Sequence, residues 1–115
     1  MPVTVGLRGT CELVVTEADT AIALRSGSVP VLGTPRVVAL AEEASVAAVS
    51  DVLEEGVTTV AMQVQLDHVA PTAVGHRVVA ESTVERVNGR RVTFTVSLND
   101  DRGLVAVGRL TRVVV

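Results

Sequence analysis

Val31-Leu32-Gly33-Thr34-Pro35-Arg36-Val37-Val38-Ala39-Leu40-Ala41-Glu42-Glu43-Ala44-Ser45, continuing to Leu53, is the stretch around which the chain is organised. Its residues predict one long helix from Thr34 to Leu53. Thr34 suits the N-cap, where a hydroxyl accepts a bond from an orphan backbone N–H. Pro35 then falls at the first helical position, where its missing N–H costs nothing. Gly56 is placed to end the helix. Between these signals lie Val37, Val38, Leu40, Ala41, Ala44, Val46, Ala47, Ala48, Val49, Val52 and Leu53. A rod apolar around most of its circumference is expected to be buried on most sides. Glu42 sits in its middle, where a carboxylate needs a reason.

The chain has 115 residues, a length that predicts one domain spanning 1–115 with a real core. Cys11 is the only cysteine. It excludes an internal disulfide and fits a reducing, cytoplasmic setting. A formal net charge of -3 argues against nucleic acid as a partner. No apolar run follows a basic start, so no signal peptide is expected. Charges interrupt every apolar run well before about 18 residues, so no membrane span is expected. Phe94 is the only aromatic residue, leaving Val, Leu and Ala to build the core. So little aromatic area makes a homo-oligomer plausible.

Around the helix the pattern is mostly extended. Arg8 to Thr16 reads as a first strand. Glu17 to Ser26 reads as a short helix or a second extended piece, and Ser26 to Pro30 as a loop. From Val57 to Ala70, Val60, Met62, Val64, Leu66, His68 and Ala70 alternate with Ala61, Gln63, Gln65, Asp67 and Val69. Strict alternation places His68 on the inner, apolar face and Asp67 on the other. Pro71 ends the strand. Asn88-Gly89 predicts a hairpin between Gly75–Val87 and Arg90–Asn99. A three-residue loop would set Phe94 opposite Val84, and a two-residue turn would set it opposite Thr83. Apolar matching prefers the first. After a turn at Asp100–Gly103, Leu104 to Val115 is the last strand. One apolar helix among antiparallel strands is an α+β arrangement, with the sheet curled round the helix.

Polar residues in apolar surroundings carry the functional information. Thr34, Glu42 and His68 stand out. Each also has a plain structural reading: a helix cap, a solvated carboxylate beside Glu43, and a core histidine bonded to a backbone carbonyl. Cys11 reads as a small hydrophobe, His76 as solvated and Arg90-Arg91 as an exposed pair. No phosphate-binding glycine loop or metal-ligand spacing is present, so no metal is expected.

Gly33-Thr34, Glu42, His68, Pro71 and Gly75, in that spacing, resemble the hotdog-fold thioesterases of the fluoroacetyl-CoA thioesterase type. Val87-Asn88-Gly89-Arg90-Arg91-Val92-Thr93-Phe94, with Gly108 and Arg112, is similar to that family's C-terminal half. The likeness runs from about residue 8 to 115, without a gap between Thr34 and Arg112. It implies a hotdog fold, an antiparallel sheet wrapped round a long helix, in a homodimer with joint sites. It implies acyl-CoA thioester hydrolysis without a cofactor. Thr34, Glu42 and His68 match the catalytic set, and the position of Arg112 matches a contact to acyl-CoA. Four features depart from the family: its aromatic acyl-pocket residues have no counterpart, Pro35 replaces a glycine, Leu110 stands where it often has His, and Ala61 stands where it has a glycine near the thioester.

The resemblance suggests a chemistry. A helix N-terminus carries free N–H groups and about half a unit of positive charge. The N–H groups of Arg36 and Val37, beside Gly33 and the Thr34 hydroxyl, are expected to receive the thioester oxygen. Glu42 would activate water or attack directly, and His68 would donate a hydrogen bond to the thioester or pass a proton to the leaving thiolate. Eight helical residues advance about 12 Å, too far for Thr34 to touch Glu42 of the same helix. A two-fold dimer would close that gap. The alternatives are a hotdog module that binds acyl-CoA without turnover, and a hotdog hydratase or dehydratase.

Overall fold

The computed structural model describes residues 2–115. Strand β1 (Arg8–Val14) leads through a 3-10 turn (Glu17–Asp19) to helix α1 (Thr34–Val49). Strands β2 (Thr59–His68), β3 (Arg77–Asn88), β4 (Arg91–Asp100) and β5 (Gly103–Val114) follow. All pair antiparallel in the order β1-β3-β4-β5-β2. β2 and β3 are therefore not a hairpin: the chain crosses the sheet between them, and β2 forms an edge. The sheet curves round the helix, the α+β hotdog arrangement expected. Among the described residues no helix is long and apolar enough to cross a membrane.

The helix begins one residue earlier in its capping and ends sooner than expected. Gly33, not Thr34, is the N-cap, and no side chain caps the start. A Cβ on Gly33 would lie 3.1 Å from the Ala21 backbone and 3.0 Å from Leu24, so the close approach of the 20s loop selects glycine here. Pro35 moves to the second helical position. At the other end the helix stops at Val49. The Ser50 hydroxyl turns back to the Ala47 carbonyl, the local competition with helix that serine favours. Gly56 (φ 82°) belongs to a later turn and not to the helix end.

Nor is the rod buried on most sides. Val37, Leu40, Ala41, Ala44, Ser45, Ala48 and Val49 form one buried stripe. This stripe meets Val78, Ala80, Val84, Val92, Phe94, Val96, Leu98 and Leu110 of the sheet. β1 lies so close to the helix that a Cβ on Gly9 would strike the Ala44 carbonyl. The other helix face leaves Val46 exposed. Phe94 does pair with Val84, as apolar matching predicts. The route differs: Asn88 pairs with Arg91 across a two-residue turn, and a bulge between Val84 and Arg86 restores the apolar register.

Candidate active site

A bulge in β2 decides which side chains reach the helix side of the sheet. Ala61 pairs with Arg112, yet Gln63 pairs with Thr111, so one extra residue, Met62, sits between them. A bulge of this kind exchanges the faces of everything beyond it. Before it, Thr59 and Ala61 share the inner face. After it, Val64, Leu66 and His68 do, opposite Leu110, Gly108 and Ala106. Val60 therefore points outward and is 47% exposed, against the strict alternation expected. Thr59 and His68, of opposite parity in the sequence, end up on one face.

His68 lies at the helix start. Its Nδ1 is 2.8 Å from the Thr34 hydroxyl. Released from capping, that hydroxyl clamps one edge of the ring. The other ring nitrogen, Nε2, is buried and has no hydrogen-bond partner among the described residues. Leaving such a group unmatched costs about 1–3 kcal/mol, so it is an unusual position for a structural histidine. If Thr34 donates to Nδ1, Nε2 carries the proton and is a donor; the reverse tautomer makes it an acceptor.

The backbone donors at the helix start differ from expectation. The Arg36 and Val37 N–H groups both donate to the Gly33 carbonyl, at 3.0 and 3.1 Å, so neither is available for a ligand oxygen. Pro35 has no N–H. The Thr34 N–H is the one without a backbone partner among the described residues. The Gly33 N–H donates to the Asp19 carbonyl at 2.9 Å. Arg36 directs its guanidinium to Asp19 (3.3 Å) and Glu43 (3.5 Å), and the Val37 side chain is in the core. Burial works to raise the Asp19 carboxyl. Bonds from the Thr16 N–H and hydroxyl and from Arg36 outweigh it, holding the group below its ordinary value. Asp19 thus fastens the helix start, a role no sequence motif announced.

Glu42 belongs to a second cluster. Its carboxylate accepts from Arg112 Nη1 at 3.0 Å. Arg112 is only 6% exposed. Its Nε donates to the Thr59 hydroxyl at 2.8 Å and Nη2 to the Thr59 carbonyl at 2.9 Å. The guanidinium is committed to protein partners and holds Glu42 in place. Ala61 lies directly opposite Arg112. A cavity of about 330 Å³ opens beside this cluster, lined in part by Leu53, Val57, Val92 and Val114. Val92 and Val114 are the strand partners of Arg112 and Thr59.

One chain therefore holds a Thr34–His68 pair and a Glu42–Arg112–Thr59 group, separated by eight residues of helix. Cys11 joins neither. Its thiol donates to the Leu40 carbonyl at 3.2 Å. Burial, then the Glu43 charge, push its pKa up, so it is a poor nucleophile. Among the described residues, no three His, Cys, Asp or Glu side chains group to hold a metal ion.

Among curated proteins, none matches the chain. Solved structures do. The chain is 28% identical to the fluoroacetyl-CoA thioesterase FlK with a TM-score of 0.93, covering 100% of this chain and 90% of that one. A mutant of FlK in complex with fluoroacetate and CoA gives 29% identity and a TM-score of 0.91, covering 98% and 95%. A thioesterase superfamily member from Thermus thermophilus gives 29% and 0.90, covering 99% and 85%. A hot-dog-like protein from Thermanaerovibrio acidaminovorans gives 29% and 0.87, covering 96% and 82%. The profile of the fluoroacetyl-CoA-specific thioesterase family matches residues 15–115. With that match over most of its length, on a sheet and helix superposable on FlK, the chain belongs to the fluoroacetyl-CoA-specific thioesterase family of hotdog thioesterases.

Proposed function

We propose that this chain, as a single domain of residues 1–115, hydrolyses a small or medium acyl-CoA to the free acid and CoA without a cofactor. The observation that carries the reading is His68: Thr34 holds Nδ1, and Nε2 is buried at a helix start with no partner among the described residues. Family membership and the complex of an FlK mutant with fluoroacetate and CoA support a thioester as that partner. A cytoplasmic location fits the free thiol of Cys11.

The chemistry assigns each group a task. The Thr34 N–H, at the positive end of the helix, faces the carbonyl oxygen as it gains charge; one such donor is typically worth about 3 kcal/mol. Glu42 takes a proton from water as the water oxygen bonds to the thioester carbon. His68 passes a proton to the departing sulfur, so acid and thiol leave with atoms balanced. Arg112 serves by holding the Glu42 carboxylate, and Gly33, next to the Thr34 N–H, and Ala61, opposite Arg112, are the substrate-side positions. Since the two clusters stand apart in one chain, the working unit is a homodimer in which Glu42 of one subunit meets Thr34 and His68 of the other. Support comes from the β2 edge, which leaves Val60, Met62 and Val64 38–50% exposed, an edge that a second copy would cover.

Release of free thiol from a panel of acyl-CoAs tests the reading. Wild type is expected to turn over short or medium chains. Glu42→Ala and His68→Ala are each expected to lose about a hundredfold or more in kcat, and Glu42→Gln, which keeps an acceptor for the buried Arg112, should lose as much with little change in melting temperature. Tight acyl-CoA binding without thiol release, or loss of an enoyl absorbance without it, would replace this reading with a binding module or a hydratase.

A further inference from the structure

Arg112 is a buried cation on β5, and a guanidinium has many donor directions in which to settle. Two contacts remove that freedom, and both come from Thr59: the hydroxyl takes Nε and the carbonyl takes Nη2. Only Nη1 is then aimed at Glu42. Thr59 itself is 4% exposed and lies at the first position of β2. It faces inward because the Met62 bulge reverses the parity of β2 between Thr59 and His68. Its β-branched side chain has few rotamers, so the hydroxyl is held before Arg112 arrives.

We propose that Thr59 is a positioning residue for hydrolysis: it fixes the Arg112 guanidinium so that Nη1 sets the angle of the Glu42 carboxylate toward the attacking water. Thr59 touches no substrate, and its effect passes through Arg112 alone. The inference rests on the proposed role of Glu42. Thr59→Val keeps the shape and removes the acceptor. Thr59→Ser keeps the acceptor.

The test is steady-state thiol release from the acyl-CoA that wild type cleaves best, with melting temperatures measured alongside. Thr59→Val is expected to lower kcat about tenfold with KM within about twofold, since a hydrogen bond to a charged group is lost. Thr59→Ser is expected to stay within about twofold of wild type. In an Arg112→Met background, Thr59→Val should cost nothing further, because its route to Glu42 is gone. A Thr59→Val loss falling mainly on KM, an equal loss in Thr59→Ser, or full additivity with Arg112→Met would overturn the proposal. Thr59→Ala, which adds no methyl against the guanidinium, decides the matter if the valine chain does not fold. Wild type inert toward every acyl-CoA would sink the thioesterase reading itself. Active wild type, inactive Glu42→Gln and unimpaired Thr59→Val would sink this inference alone.

Discussion

At the scale of single residues, the site depends on positions whose reasons are steric or electrostatic rather than chemical. Gly108 pairs with Leu66 on β2, and a Cβ there would run into the Gln65 carbonyl. It lets the edge strand that carries His68 lie against β5. Gly108→Ala is expected to cost about 3 kcal/mol. That lowers the melting temperature by on the order of 15 °C, readable by calorimetry. Gly27→Ala is the control: its Cβ would meet only Ala21 at 3.5 Å, and the change should stay within about 0.5 kcal/mol. Asp19 sets a pH limit. Its folded pKa lies below the ordinary 3.8, so the unfolded chain binds the proton more readily. The stabilisation is complete above about pH 4 and is lost as pH falls through the lower folded value. Asp100 behaves likewise: burial works to raise it, but bonds from the Thr72 hydroxyl and from backbone N–H groups at Arg102 and Gly103 hold it down. Asp19→Asn should therefore flatten the acid fall of melting temperature below pH 4 without steepening it near neutrality.

At the scale of elements, helix and sheet meet through apolar packing and one buried polar pair. Ser45 donates to the Ala41 carbonyl at 2.8 Å and lies 2.8 Å from the Ser82 hydroxyl on β3. With its own proton committed, Ser45 is the acceptor, and Ser82 donates. The two deletions are thus unequal. Ser82→Ala leaves Ser45 bonded to Ala41, whereas Ser45→Ala strands a buried Ser82 hydroxyl. Denaturant titration should show Ser45→Ala costing about 1–2 kcal/mol more. Nothing in the local pattern gives Ser45 away, because a serine in an apolar rod reads equally well as its solvated side. The start of the helix, the hairpin and the inner position of Phe94 were legible, since turn glycines and period-two apolar residues leave their mark in the chain. Bulges leave none. One inserted residue at Met62 preserves the alternation of Val60, Met62 and Val64 as written, while reversing which of them faces the helix. Strict alternation puts His68 on the inner face, as observed, but hides Thr59 on the other. Thr34 reads in the sequence as a cap, yet its hydroxyl is free for His68 because Gly33 takes the cap position.

At the scale of the whole molecule, the question is which parts of a site belong to the same chain. Thr34 and His68 are joined within one chain by a 2.8 Å contact, and Glu42 is joined to Arg112 and Thr59 by another set. The proposed two-fold dimer therefore builds each site from a Thr34–His68 half of one subunit and a Glu42 half of the other. This division makes a sharper prediction than loss of activity. When Thr34→Ala and Glu42→Ala chains are refolded together, random pairing makes half the dimers mixed. Each mixed dimer then carries one intact site of two, so about one quarter of wild-type activity returns from two inactive parents. His68→Ala mixed with Glu42→Ala should recover to the same level. Thr34→Ala mixed with His68→Ala should not recover, because both defects fall in the same half and every site keeps one of them. Thiol release from the three mixtures, with mixed dimers verified by mass, reads the division directly. Silence in the first two mixtures would place all the groups within one subunit, and recovery in the third would break the Thr34–His68 pairing.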